Sequence, residues 1–189
     1  MKLSKDPVRQ KIKKLEVAMM KQKEVLAKLR RKTKPQLVAD YIFQTPEGKR
    51  VLLSSLFGKQ NELIWVHNMG TSCPYCTLWA DGFQGIRKHL ENRAAFVVET
   101  PDAPKTIASF RKSRGWEFAM VSSRGTTFRQ DMGYANQGDP WPGVSTFVKK
   151  GKKIFRLADT GFGPGDNFCA AWDFFDLLPK KEWGPKFRY

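Results

Sequence analysis

The sequence predicts an α/β layered domain with a long helical extension at its N-terminus, and three observations carry that reading. Short strand-like and helix-like patterns alternate from residue 37 onward, residues 8–29 carry a separate helical seam, and Cys73-Pro74-Tyr75-Cys76 falls where a strand and loop run into a helix. The 189 residues are 41% hydrophobic, with 14 Phe and 6 Trp, enough apolar material for the core of one ordinary domain and too much for a wholly disordered chain.

The N-terminal extension comes first. Val8, Ile12, Leu15, Met19, Gln22, Leu26 and Leu29 recur at alternating steps of four and three, a narrow heptad-like stripe. Pro7 suits a first helical turn and Pro35 ends the run, so a helix is expected from about Pro7 to about Lys32. Residues 1–34 hold 13 Lys or Arg against Asp6, Glu16 and Glu24, which places +10 of the chain's net +16 on this segment. The helix is expected to dock on the main domain or to pair with a second copy, with the basic residues as its solvated face. Polyanions are the competing partner class, but no aromatic residue precedes Tyr41 to stack on bases, so nucleic acid is not favoured.

The elements that follow are read in order. Val38 to Gln44 and Arg50 to Leu53 flank Thr45-Pro46-Glu47-Gly48 and read as a β-hairpin. Glu62 to His67 is a strand, and Asn68 to Ser72 a loop. Cys76, Trp79, Phe83, Ile86 and Leu90 mark one face of a helix. A strand at Ala95 to Glu99, a helix at about Ala103 to Arg114 and a strand at Glu117 to Ser122 come next. A second hairpin turns at Lys150-Gly151-Lys152, between Val144–Lys149 and Lys153–Leu157. The last helix is expected at about Asp166 to Leu178, with Phe168, Trp172 and Phe175 on one face.

The chemistry resides in the cysteine pair. A sulfur just before a helix faces free backbone N–H groups and the positive end of the helix dipole, which favour its ionised form. Pro74 occupies the first turn without losing a hydrogen bond, and the three-residue spacing keeps Cys76 within disulfide reach. The expected roles are Cys73 as nucleophile and Cys76 as resolving thiol. The pair could instead be inert or half of a zinc site, for which Cys169, His67 and His89 are the residues left to supply the other ligands. Alone, Cys169 reads as a buried small hydrophobe. His67 reads as a core or loop residue that could also donate a proton near the thiols. Asp81, two turns into the helix, reads as an exposed carboxylate with proton transfer through a water as the alternative. Gly161-Phe162-Gly163-Pro164-Gly165 lacks the Lys and Ser/Thr of a phosphate loop, and neither a Gly-x-Ser-x-Gly elbow nor a His-Glu-x-x-His pair occurs, so hydrolase chemistry has no support.

The order of elements with Cys-Pro-x-Cys opening the first core helix resembles the thioredoxin-like superfamily. It is similar in particular to an uncharacterised bacterial family within it, built as a basic or charged N-terminal helix followed by a thioredoxin-like domain. The resemblance runs through Leu56-Phe57-Gly58, His67, Met69, Cys73-Pro74-Tyr75-Cys76 with Trp79-Ala80-Asp81-Gly82-Phe83, and Arg114-Gly115-Trp116. It continues through Val121-Ser122-Ser123, Gly143-Val144-Ser145 before Phe147, and Asp176-Leu177 with Pro179. It implies a three-layer thioredoxin-like fold over residues 36–189 and a thiol redox role supported by Pro74 and Tyr75. Thioredoxins place a cis-proline before the strand facing the cysteines, and Pro142, one residue ahead of Gly143, is nearest to that place. Cys-Pro-Tyr-Cys is also found in glutaredoxins, but their Thr-Val-Pro segment is absent. Peroxiredoxins carry Thr three residues before the attacking cysteine, where this chain has Gly70. Where relatives have a His after the Phe of the last hairpin, this chain has Arg156.

The functional expectation is a thiol-disulfide oxidoreductase without a cofactor or metal, acting on a protein or small-molecule disulfide and restored by an external dithiol. The alternatives are a thiol peroxidase of peroxiredoxin-like type, and a non-catalytic thioredoxin-like module whose basic helix binds an acidic partner or nucleic acid. No apolar run approaches the ~18 residues of a membrane span, and residues 1–14 lack the apolar stretch of a secretory signal, so a soluble cytoplasmic protein is expected.

Overall fold

In the computed structural model, residues 6–180 and 184 are described. The chain divides into two compact units, Met1–Pro35 and Gln36–Tyr189. The first contains one helix, α1 (Pro7–Arg30), whose N-terminal N–H of Val8 is capped by Asp6 Oδ1 at 2.9 Å.

The second unit is built on an eight-stranded sheet. Its strands are β1 (Gln36–Val38), β2 (Ile42–Gln44), β3 (Arg50–Leu52), β4 (Glu62–His67), β5 (Ala95–Thr100), β6 (Ala119–Ser122), β9 (Gly143–Lys150) and β10 (Lys153–Gly161). Two further short strands, β7 (Ala135–Asn136) and β8 (Asp139–Pro140), pair only with each other. The order across the sheet is β1-β10-β9-β4-β5-β6-β2-β3. The central β4–β5 and β5–β6 pairs are parallel and the remaining pairs antiparallel. Helices α2 (Pro74–Arg93) and α3 (Pro104–Arg114) make the two parallel crossovers, and α4 (Phe128–Asp131) and α5 (Ala171–Asp176) are short.

Period-two alternation along the strands divides the core between two faces. Val66, Phe96 and Val98 pack with Trp79 and Phe83 of α2, Ile107 of α3 and Trp172 of α5. Leu63, Trp65, Val97 and Phe147 point the other way and pack with Phe43, Leu53, Phe57 and Phe128. Helices thus cover one face, and a 3-10 turn (Leu53–Phe57) with α4 covers much of the other, giving the expected three-layer α/β architecture.

Four features differ from the sequence reading. The segment expected as one strand from Val38 to Gln44 is two, with β1 paired to β10 and β2 at the opposite end of the sheet. At the break Asp40 leaves the ladder to accept from the Ser54 N–H (2.8 Å) and hydroxyl (2.6 Å). The final helix begins at Ala171 rather than Asp166 because Asp166 instead closes a turn, accepting from the N–H groups of Gly163 (3.1 Å) and Phe168 (2.8 Å). The strand expected from Glu117 starts at Ala119, and α4 with the β7–β8 hairpin was not foreseen. Short elements of this kind carry too few residues to display a period.

Candidate active site

Strand β4 ends at His67, and the loop 68–73 returns the chain to the start of α2. That loop is tightly held. Asn68 Oδ1 accepts from the Gly70 N–H (2.8 Å), Asp102 Oδ2 accepts from the Thr71 N–H (2.8 Å), and the Gly70 carbonyl accepts from the Cys73 N–H (3.1 Å). Gly70 has φ +114°, and a Cβ there would stand 3.2 Å from both Asp102 carboxylate oxygens. A side chain at this position would be strained in its backbone conformation and would crowd the Asp102 carboxylate.

Cys73 is the N-cap of α2. Its Sγ accepts the Cys76 N–H at 3.1 Å, Pro74 opens the helix, and the Cys73 carbonyl accepts the Thr77 hydroxyl at 3.1 Å. Cys73 retains 8% exposure and Cys76 2%, so the former is the outer sulfur and the latter the inner one. Neither is disulfide-bonded. A hydrogen bond from the Cys76 thiol lowers the Cys73 pKa to about 7, against the opposing effect of burial, with help from the backbone N–H groups of Cys76 and Tyr75. The same bond, together with burial, pushes the Cys76 thiol far up, while the Met69 N–H, 3.4 Å from its sulfur, acts in the opposite direction. Near neutral pH Cys73 is therefore partly ionised, while Cys76 remains the protonated donor. Half-buried Tyr75 lays its ring 6.5 Å from that of Trp79 and 6.1 Å from that of Trp172, anchoring the first turn in the aromatic core.

The remaining candidates have other placements. His67 is fully buried, stacked 3.7 Å from the Tyr134 ring at 10° and 5.8 Å from Phe128. Its Nε2 lies 2.9 Å from the Ser145 hydroxyl; its Nδ1 is 3.3 Å from Glu99 Oε2, within ion-pair reach but off the line of a hydrogen bond. Burial lowers its pKa, so the ring is neutral. Its polar partners are Ser145 and Glu99, not the thiols, and a proton-donor role beside the cysteines finds no contact to support it. Asp81 is not the exposed carboxylate expected. It ion-pairs with Arg114 and accepts the Trp116 indole N–H at 2.9 Å, tying α2 to the end of α3. Pro142 is not cis, since no cis peptide occurs among the described residues. The expected cis-proline is therefore absent, and the Pro142 carbonyl accepts the Phe162 N–H at 3.0 Å. Cys169 lies in the same apolar cluster as the pair, its thiol pKa raised by burial. Arg156 binds Gln36 and the Met132 carbonyl, a structural contact. Among the described residues no group of three His, Cys, Asp or Glu is placed to hold a metal ion.

The sequence reading missed a buried charged cluster behind the cysteine loop. Glu99, fully buried at the end of β5 and paired in register with His67, receives two bonds of 2.8 Å from Arg129 Nη1 and another from the Ser123 hydroxyl. Burial raises the carboxyl pKa, but its contacts, the Arg129 guanidinium among them, more than offset it and the group is held ionised. The Arg129 guanidinium also reaches the Asn68 carbonyl (3.0 Å) and the Trp141 carbonyl (3.0 Å). One side chain thereby joins the start of the cysteine loop to the segment leading into β9. The available signal was two apolar strands, each closing on an ionisable residue, His67 and Glu99; nothing local marks Arg129.

A model of a family of bacterial proteins of unknown function (DUF899) matches residues 7–182. No curated protein matches. Among solved structures, the peroxidoxin BcpB of Mycobacterium tuberculosis is 22% identical, with a TM-score of 0.57 over 77% of this chain and 97% of that one. The bacterioferritin comigratory protein of Xanthomonas campestris is 15% identical, with a TM-score of 0.54 over 73% and 91%. A candidate protein disulfide isomerase of Bacteroides thetaiotaomicron is 18% identical, with a TM-score of 0.51 over 75% and 86%. These likenesses show the fold, which is thioredoxin-like. Among the described residues no helix is long and apolar enough to cross a membrane.

Proposed function

This chain belongs to the DUF899 family of bacterial proteins of unknown function, and from the geometry at Cys73 we propose that it is a thiol-disulfide oxidoreductase. The observation that carries the reading is the Cys73 sulfur at the α2 N-cap, accepting the Cys76 N–H at 3.1 Å with its pKa drawn to about 7. Cys73 thiolate attacks one sulfur of a substrate disulfide, forming a mixed disulfide and expelling the other sulfur as a thiolate, which takes a proton from water. Cys76 then attacks the Cys73 sulfur, closing the Cys73–Cys76 disulfide; the second substrate sulfur departs and receives the Cys76 proton. The substrate gains two electrons, and an external dithiol returns them to the pair.

A second reading is favoured by the likeness of the fold to that of a peroxidoxin. Cys73 thiolate takes the terminal oxygen of a hydroperoxide and becomes a sulfenic acid, the departing alkoxide drawing a proton from water to leave as an alcohol, and Cys76 resolves the sulfenic acid to the disulfide with loss of water. The test is to offer the reduced protein a protein disulfide and a hydroperoxide in parallel. Oxidoreductase action is expected to favour the disulfide, to fall to background in Cys73→Ser, and to stall at a mixed disulfide in Cys76→Ser. If both variants turn over like the parent, thiol chemistry at this pair is refuted.

A further inference from the structure

We propose that α1 is the half-site of a parallel two-stranded coiled coil formed with a second copy of this chain. None of its residues is buried, although Val8, Ile12, Leu15, Met19, Leu26 and Leu29 are large apolar groups exposed between 43% and 69%. A 24-residue helix is about 36 Å long, and these side chains return along it at the 3.5-residue period of a coiled-coil seam rather than the broader stripe of a helix lying on a globular core.

The seam's composition selects the occupant. Ile12, Met19 and Leu26 take the a positions, and Val8, Leu15, Gln22 and Leu29 the d positions. Ile12 at a with Leu15 and Leu29 at d is the pairing that suits two strands. Gln22 is the one polar group within the seam. In a parallel, in-register pair it meets its own copy, and the two amides satisfy each other; any slip buries it against aliphatic neighbours.

Charge selects the direction. The flanking g positions are Lys11, Ala18 and Val25, and the e positions are Arg9, Glu16, Lys23 and Arg30. In the parallel arrangement each g residue faces the e residue five places on in the second copy. Lys11 then meets Glu16 twice per dimer, while Ala18–Lys23 and Val25–Arg30 bring no like charges together. The antiparallel alternative also brings Glu16 opposite Lys23 twice, but the same register sets Arg9 against Arg30 twice. Lys14, Lys21 and Lys28 all occupy the outward c positions, where they remain solvated in the pair.

This reading is independent of the thiol chemistry, and sedimentation equilibrium of the full chain tests it. A dimer is expected in the micromolar range, converted to monomer by Leu15→Lys with Leu26→Lys while Cys73 reactivity is unchanged. Lys11→Glu is expected to weaken the dimer about tenfold, and adding Glu16→Lys to restore it. A monomer throughout that range overturns the proposal, and so does a dimer indifferent to the seam substitutions. A charge swap that fails to restore association overturns the parallel pairing. A monomeric chain that binds phosphatidylglycerol vesicles would assign the helix to an anionic surface instead.

Discussion

The Tyr134 ring occupies the space where a Cβ on Gly143 would stand, and that shared space keeps the ring flat on His67. Gly143 is the register partner of His67 across β4 and β9, so its bare backbone lets the ring reach the imidazole. A Cβ at 143 would also lie 2.6 Å from the Thr160 carbonyl, which limits relief on the other side. The Tyr134 hydroxyl sits 3.2 Å from the Val144 carbonyl and 3.1 Å from that of Thr160, pinning the ring to both strands of the final hairpin.

Gly143→Ala is therefore expected to destabilise the domain by about 1–3 kcal/mol through overpacking. Tyr134→Phe keeps the ring and loses only a hydroxyl bond, an expected cost of about 1 kcal/mol. Urea unfolding followed by aromatic circular dichroism distinguishes the two. Equal stabilities for both variants would show that the close approach is not retained in solution.

The Glu99–Arg129 pair makes the larger energetic prediction. Removing one member leaves an uncompensated buried charge, so Arg129→Met and Glu99→Gln are each expected to cost about 3–5 kcal/mol. The double variant should cost clearly less than their sum, since the two changes remove the same interaction. Because Arg129 also holds the Asn68 and Trp141 carbonyls, Arg129→Met should additionally loosen the cysteine loop. Faster amide exchange at Gly70 and Thr71 is the expected sign. Additive costs in the double-variant cycle would contradict this coupling.

Asp81 makes a contrasting prediction. Asp81→Asn keeps an acceptor for the Trp116 indole but loses the charge opposite Arg114. It is expected to lower stability by about 1 kcal/mol and to leave the pH dependence of thiol reactivity where it was. A displaced pH profile would return Asp81 to proton transfer.

Much of the fold was legible because long elements display their period. The strand ending at His67, the helix with Cys76, Trp79 and Phe83 turned inward and the turn at Lys150-Gly151-Lys152 are where the pattern put them, whereas Ile86, expected on the same face, is exposed. The N-cap placement of Cys73 was legible as well, because Pro74 marks a first turn. The parts that escaped depend on tertiary placement. Whether Asp81 faces water or Arg114 is decided by where α3 ends, and β1 parts from β2 where Asp40 finds Ser54. Arg129 becomes a buried bridge only when β5 and the segment before β9 converge on it, which no local window contains.

The most direct test of the central claim is the pH dependence of Cys73 alkylation in the reduced protein, read residue by residue by mass. The thiolate is the reactive species, so the rate should climb as pH rises and level off above a midpoint of about 7, with Cys76 silent over the same range. A Cys73 midpoint at the ordinary thiol value of 9.0, or Cys76 titrating first, would contradict it.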